Sequence, residues 1–119
     1  MKALIVDDAV LARAMLKKLI ELIGVTIIFE AQNGEEAIQI YQTEKPNLVT
    51  MDITMPGMDG ITATKKILEF DPNANIVVCS ALGQKEVVME AIQAGAKHFI
   101  VKPYEEDKVM NTLKAVLGI

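Results

Sequence analysis

Charged and polar side chains follow four of the five short apolar runs in this sequence. Asp7 and Asp8 follow the first run, Asp52 the third, Ser80 the fourth and Lys102 the fifth. Carboxylate oxygens are the ligands that hard divalent cations prefer, and a lysine ammonium adds a second positive charge. A carboxylate flanked by cations can also attack a phosphorus atom, because both cations stabilise the charge on the phosphoryl oxygens. These residue types therefore favour metal-assisted phosphoryl transfer.

The three carboxylates require a cation if they share one site. A like-charged pair about 4 Å apart costs on the order of 4 kcal/mol at an effective dielectric constant near 20. Mg²⁺ keeps several waters and takes one or two carboxylates plus a phosphate, so it fits this set better than a caged Ca²⁺. Taken singly, Asp8 also fits a helix cap, and Ser80 or Lys102 a solvated loop. Capping explains neither the cluster of acids nor the lysine opposite it.

Five apolar runs, rich in β-branched residues, predict the strands that position these side chains. The runs are nearly continuous, as in strands buried on both faces of a parallel sheet. Glu30 and Ala31, which follow the second run, offer no comparable chemistry. The predicted strands are Ala3–Val6, Val25–Phe29, Leu48–Met51, Ile76–Cys79 and Phe99–Val101.

Stretches with helical spacing separate the runs, and Asn33 and Asp59 can cap two of the helix starts. Alternating strands and helices imply right-handed crossovers, and therefore an α/β three-layer sandwich, a doubly wound (βα)5 fold of the flavodoxin-like class. In such sheets the ligand site lies beyond the carboxyl ends of the strands. The predicted buried faces are Leu11, Met15, Leu16, Leu19, Ile20 and Ile23; Ala37, Ile38 and Tyr41; Ile61, Ala63, Thr64, Ile67 and Leu68; Val87, Val88, Ala91 and Ile92; and Val109, Leu113, Val116 and Leu117.

The amino-acid composition and net charge argue against several classes of protein. A chain of 119 residues with 12 basic and 16 acidic side chains, a formal charge of −4, predicts one domain over residues 1–119 and argues against direct nucleic-acid binding. No apolar run approaches the roughly 18 residues of a membrane span, and acids interrupt the N-terminal apolar stretch. Cys79 is the only cysteine, so an internal disulfide is excluded. We expect a cytoplasmic protein without membrane insertion.

Four motifs, taken in order, resemble the receiver domain of two-component response regulators. They are LIVDD, MDITMPGMDG around Asp52, VVCSA ending at Ala81, and AGAKHFIVKP ending at Pro103. The likeness covers essentially the whole chain and is greatest to the stand-alone chemotaxis regulators of the CheY type. It implies a signalling switch, not an enzyme with a separate substrate: a sensor histidine kinase phosphorylates Asp52, and a target such as the flagellar motor switch binds the phosphorylated form.

The resemblance also implies roles for individual residues near the phosphoacceptor. Asp8, Asp52 and the backbone carbonyl of Thr54 would bind Mg²⁺ directly, and Asp7 would bind it through water. Thr54 and Leu82, two positions after Asp52 and Ser80, occupy the positions that tune dephosphorylation in the family. Leu82 cannot hydrogen-bond a water, so we expect slow self-dephosphorylation and reliance on a phosphatase.

The remaining implied roles concern the switch. Lys102, Ser80 and Ala81 would contact the phosphoryl oxygens, Ser80 and Phe99 would form the switch pair, and the bond before Pro103 would be cis. Strand propensity also makes Phe99 a core residue. The surface expected to change comprises the fourth helix, fifth strand and fifth helix, near Glu86, Glu90, Lys97, His98, Ile100 and Tyr104.

Three alternative functions remain open from the sequence. A phosphorelay intermediate would pass its phosphoryl group to a second histidine protein, and a fragment of a transcriptional regulator would have lost a DNA-binding segment. An aspartyl-phosphate phosphatase also groups Asp, Ser and Lys at strand ends. That enzyme class starts with an Asp-x-Asp loop after its first strand, and this chain has none.

Overall fold

A five-stranded parallel sheet forms the centre of the structure, a computed structural model that describes residues 1–119. The strand order is β2-β1-β3-β4-β5, so the second half of the chain extends the sheet on the side away from β2. This topology confirms the predicted doubly wound parallel sheet. The strands are β1 Lys2–Val6, β2 Ile27–Ala31, β3 Leu48–Asp52, β4 Ile76–Ala81 and β5 His98–Lys102.

Strand β2 lies two residues later than predicted. Lys2 of β1 pairs with Ile27, and Val6 pairs with Ala31, so Ala31 belongs to the strand. Val25, which we expected to begin β2, is buried in the turn after the first helix, where its N–H donates to the carbonyl of Ile20 at 3.2 Å. Burial in a turn and burial in a strand leave the same apolar pattern in the sequence.

Five helices cover the two faces of the sheet and complete the predicted three layers. α1 and α5 pack on one face, and α2, α3 and α4 pack on the other, each face having its own apolar cluster. None of these helices combines the length and the apolar character that crossing a membrane requires. The helices are α1 Val10–Leu22, α2 Gly34–Glu44, α3 Gly60–Phe70, α4 Lys85–Ala94 and α5 Glu106–Leu117.

The predicted buried face is correct for α3, wrong for the start of α1, and wrong for two residues of α4, Val87 and Ile92, which are exposed. All five residues predicted for α3 are buried. In α1, Leu11 and Met15 are 84% and 48% exposed, and Arg13 is buried instead. Leu16 and Ile20 set the face that meets the sheet, and Arg13, two turns before Ile20, shares that face.

Side-chain caps begin α2 and α3, as predicted. Asn33 accepts a hydrogen bond from the N–H of Glu36, and Asp59 accepts one from the N–H of Thr62. The first residue of α4 follows Gln84, whose side chain makes no such capping bond. The two helices that flank the end of the central strand therefore start in different ways.

Candidate functional site

Three acids meet at the carboxyl ends of β1 and β3. Asp7 and Asp8 directly follow β1, and Asp52 is the last residue of β3, the strand beside it. Each acid offers one carboxylate oxygen, and these oxygens lie within 4.8 Å of one another. Pairing of neighbouring parallel strands thus brings together acids that are more than forty positions apart in the chain.

Lys102, the last residue of β5, reaches across the sheet edge to two of these acids. Its Nζ lies 3.0 Å from Oδ2 of Asp7 and 3.5 Å from Oδ1 of Asp52. Burial alone would lower the pKa of Lys102, but the hydrogen bond to Asp7 and the charge of Asp52 outweigh it and leave that pKa raised. The lysine is therefore a fixed positive charge at this site.

Asp52 is buried, at 5% exposure, and the pKa of its carboxyl group is shifted from the ordinary value. Burial, followed by the negative charge of Asp7, raises the pKa of Asp52 to about 6, and Lys102 partly offsets the rise. The N–H of Thr54 donates to Oδ1 of Asp52 at 3.3 Å. A carboxylate with this pKa is ionised at neutral pH and poorly solvated, as a nucleophile requires.

Asp7 and Asp8 differ in how their oxygens are engaged. Oδ1 of Asp7 accepts from the N–H of Ala9 at 2.9 Å, and Oδ2 accepts from Lys102. Asp8 is exposed and accepts no hydrogen bond from the protein. Asp8 therefore has both oxygens free for an external ligand.

The donor set fits a hard divalent cation. The cluster consists of the carboxylates of Asp7, Asp8 and Asp52. The backbone carbonyl of Thr54, which the family resemblance adds to this set, accepts no backbone hydrogen bond. All of these donors are oxygens, and no histidine or cysteine lies among them. Such a set suits Mg²⁺ and not a softer transition metal.

Arg13 holds the backbone of this site, and our sequence reasoning missed it. Its guanidinium donates to the carbonyl oxygen of Asp7 at 2.7 Å and forms an ion pair with Glu30 at 3.0 Å. Arg13 is only 8% exposed. The available signal was an arginine five residues after Asp8 and two helical turns before Ile20.

Gly60 fixes the return from β3 into α3. A Cβ on this residue would collide with the carbonyl oxygen of Asp52 and would lie 2.6 Å from Cα of Ile53. The N–H of Gly60 donates to the carbonyl of Ile53 at 3.3 Å. The close approach of the helix start to the strand end is therefore possible only with glycine.

Ser80 and Ala81 end β4 beside this cluster, and only Ala81 uses its polar group in a hydrogen bond to a side chain. Ser80 is 2% exposed, and its hydroxyl makes no hydrogen bond to the protein. The N–H of Ala81 donates to Oε1 of Gln84 at 2.6 Å, and Nε2 of Gln84 donates to Oγ1 of Thr54 at 2.9 Å. Sequence reasoning did not identify Gln84, because a glutamine before a helix has no distinctive pattern.

Phe99 is 40% exposed, so the expectation of a core residue is wrong for this structure. β5 is an edge strand, and the α4 side of it is only partly covered, which leaves the ring at the surface. A cavity of about 250 Å³ lies beside it, lined among others by Ser80, Leu82, Val88 and Phe99. Leu82 is 80% exposed at the mouth of this region.

The surface expected to change needs two corrections. Ile100 is buried in the cluster under α1 and α5, because β5 turns its side chain inward. Tyr104, which lies between β5 and α5, packs against the same cluster, and its hydroxyl is buried. The remaining predicted residues are exposed: Glu86, Glu90, Lys97 and His98. The Lys102–Pro103 peptide bond is cis.

Comparison with known sequences places this arrangement in a family. Residues 3–114 match the family model described as the response regulator receiver domain. Chemotaxis protein CheY of Thermotoga maritima is 54% identical over 97% of this chain and 96% of that protein. Chemotaxis protein CheY of Bacillus subtilis is 50% identical over 98% of both proteins.

Solved structures give the same result. The receiver domain of NtrX from Brucella abortus superposes with a TM-score of 0.92 at 28% identity and covers 98% of both chains. CheY of Borrelia burgdorferi, in a complex with CheX, BeF3 and Mg, superposes with a TM-score of 0.92 at 42% identity, covering 98% of this chain and 88% of that one. The strand-end acids and lysine thus lie in a known fold, and the chain belongs to the response regulator receiver domain family.

Proposed function

We propose that this receiver domain is a cytoplasmic chemotaxis response regulator that accepts a phosphoryl group on Asp52 from a sensor histidine kinase. One observation carries the proposal: Asp52, nearly buried and with its pKa raised to about 6, lies beside two further acids and 3.5 Å from the Lys102 ammonium. The similarity to chemotaxis proteins at 54% and 50% identity supports the pathway.

In the proposed reaction, an oxygen of Asp52 attacks the phosphorus of the kinase's phosphohistidine. The new P–O bond forms as the P–N bond breaks, and the leaving imidazole takes up a proton. Lys102 balances charge on the phosphoryl oxygens, and the hydroxyl of Ser80 and the N–H of Ala81 donate to them. The unengaged hydroxyl of Ser80 supports its share of this role.

Mg²⁺ would be held by Asp8, Asp52 and the carbonyl of Thr54, with Asp7 acting through water. The free oxygens of Asp8 and the two occupied oxygens of Asp7 support this division. When bound, the cation neutralises charge on the transferring group. Asp7 meanwhile keeps Lys102 in place, and Arg13 keeps the backbone of Asp7 in place.

Phosphorylation would change the surface through Ser80 and Phe99. The added negative charge and acceptor oxygens draw the Ser80 hydroxyl inward. The Phe99 ring then turns from its exposed position into the cavity of about 250 Å³ beside Ser80. The changed surface of α4, β5 and α5 would bind a target such as the flagellar motor switch, and exposed Leu82 leaves dephosphorylation to a phosphatase.

The test is phosphorylation by a small donor. Parent protein incubated with acetyl phosphate and Mg²⁺ should gain one phosphoryl group by intact mass, and the gain should vanish with EDTA. Asp52→Asn should gain nothing. Asp59→Asn is a matched control, because this exposed acid only caps α3 and asparagine caps equally well. A phosphoryl group on Asp52→Asn at the parent level would contradict the proposal.

A further inference from the structure

Three hydrogen bonds in series join Asp52 to the loop between β4 and α4. The N–H of Thr54 donates to Asp52 at 3.3 Å, and Oγ1 of Thr54 accepts from Nε2 of Gln84 at 2.9 Å. Oε1 of Gln84 in turn accepts from the N–H of Ala81 at 2.6 Å. The carboxamide of Gln84 therefore uses its donor and its acceptor to bridge two loops of the site.

Gln84 also lies directly before the first residue of α4. It occupies the N-cap position, and its carbonyl oxygen accepts from the N–H of Val88 at 3.0 Å. α4 buries only two side chains, Val88 and Ala91, so packing anchors its first turn weakly. The side chain of Gln84 is consequently a direct connection between the start of α4 and the loop that carries Thr54.

The side chain of Gln84 occupies the N–H of Ala81, which in the proposed phosphorylated form donates to a phosphoryl oxygen. An amide N–H has one proton, so Gln84 and a phosphoryl oxygen compete for the N–H of Ala81. An anionic phosphoryl oxygen is a stronger acceptor than a neutral carboxamide oxygen. The competition therefore favours the phosphoryl group once Asp52 carries it.

We propose that the Gln84 carboxamide is a latch that holds the β4–α4 loop in the unphosphorylated form and is released by phosphorylation of Asp52. The proposal rests on the function proposed above. Release removes the bond to Ala81, and movement of the loop then separates Gln84 from Thr54. Because Gln84 also lines the cavity beside Phe99, its departure opens the space into which that ring turns.

A latch of this kind opposes the binding of a phosphoryl group, or of an analogue of it, at Asp52. Phosphoryl groups bind the released form, so the apparent affinity is reduced by the fraction of molecules that remain latched. The net worth of one neutral hydrogen bond corresponds to about a fivefold change in an equilibrium constant. Release breaks the bond to Ala81 and then the bond to Thr54, so removing the Gln84 side chain should raise the affinity for a phosphoryl analogue by about fivefold or more.

The experiment measures binding of BeF3⁻ in the presence of Mg²⁺ to parent protein, Gln84→Ala and Gln93→Ala. Gln93 lies on the exposed side of the same helix and serves as the matched control. For Gln84→Ala we expect half-saturation at a BeF3⁻ concentration that is lower by about fivefold or more, and for Gln93→Ala at the parent concentration. In parent protein, the side-chain NH₂ signals of Gln84 should be shifted from free-amide positions and should move to them as BeF3⁻ binds.

Failure of the latch is distinguishable from failure of the proposed function. If Asp52 is not the acceptor, Asp52→Asn binds BeF3⁻ as the parent does, and the function itself is wrong. If Asp52→Asn abolishes binding but Gln84→Ala saturates at the parent concentration, the function stands and the latch is overturned. Free-amide signals for Gln84 before BeF3⁻ is added would overturn it as well.

Discussion

The junctions β3–α3 and β4–α4 lie side by side at the site but are anchored very differently. α3 begins with a side-chain cap from Asp59, buries six residues and presses Gly60 against the carbonyl of Asp52. α4 has no side-chain cap and buries two residues. Asp52, the proposed phosphoacceptor, thus lies at the fixed junction, and the proposed partners of the phosphoryl oxygens, Ser80 and Ala81, lie at the loose one.

This difference explains how a local charge can change a surface. An element that buries few residues opens at low free energy, whereas a well-packed one does not. We therefore expect a negative charge added at Asp52 to leave α3 in place and to act on the loop and first turn of α4. The exposed ring of Phe99 and the cavity beside it lie on the same loose side.

The largest expected effect is a loss of stability when the contact between Gly60 and the end of β3 is disrupted. Gly60→Ala should lower the free energy of unfolding by about 2 kcal/mol or more, because its Cβ meets backbone atoms that cannot yield. Gly34→Ala is the matched control: it is also the first residue of a helix, but its Cβ meets the flexible side chain of Met58 at 3.0 Å. Urea unfolding should show the control within about 0.5 kcal/mol of the parent. Equal losses in both variants would contradict a special role for Gly60.

Replacing the buried carboxylate of Asp52, at the β3–α3 junction, should change the free energy of unfolding by a similar or smaller amount. The folded state raises the pKa of Asp52 from 3.8 to about 6, so its stabilising contribution is full below 3.8 and is lost as pH rises through 6. Asparagine mimics the neutral carboxyl at every pH. Without divalent cations, Asp52→Asn should be more stable than the parent by about 2 kcal/mol at pH 7.5 and equal to it near pH 4.

Urea unfolding of the two proteins at both pH values measures this difference. Addition of Mg²⁺ at pH 7.5 should stabilise the parent and reduce the gap, because Asp52→Asn lacks one of the proposed ligands. A gap that does not change with pH would show that the effect is unrelated to titration of Asp52.

The smallest expected effect concerns the loose junction. Leu82 is 80% exposed, so Leu82→Glu should leave the free energy of unfolding within about 0.5 kcal/mol of the parent. Its carboxylate can orient a water toward the acyl phosphate and should shorten the phosphorylated lifetime by about three- to tenfold. Leu82→Ala, which adds no polar group, should keep the parent lifetime. An unchanged lifetime in Leu82→Glu would contradict the expectation that Leu82 slows hydrolysis of the acyl phosphate.

The same contrast explains which features the sequence could predict. The five predicted inward residues of α3 and the caps Asn33 and Asp59 depend on local spacing and local hydrogen bonds, and they are correct. The meeting of Asp7, Asp8 and Asp52 agrees with the rule used in the sequence analysis, that the ligand site of a parallel sheet lies beyond the carboxyl ends of its strands. Where structure is strongly determined by local pattern, the sequence is sufficient.

Other features depend on contacts that no local pattern records. Arg13 is buried because the carbonyl oxygen of Asp7 and the carboxylate of Glu30 on β2 accept from it, although its residue type predicts exposure. Phe99 is exposed because β5 lies at the sheet edge with incomplete cover, although its type predicts a core position. Gln84 bridges two loops only because strand order brings Thr54 and Ala81 together.

The most direct test of this contrast is a map of backbone amide shifts on adding BeF3⁻ with Mg²⁺, compared with Mg²⁺ alone. We predict large shifts across residues 81–90 and 98–104, and little change in α3 beyond its first turn. Shifts in α3 as large as those in α4, or an α4 and β5 that do not respond, would contradict the account.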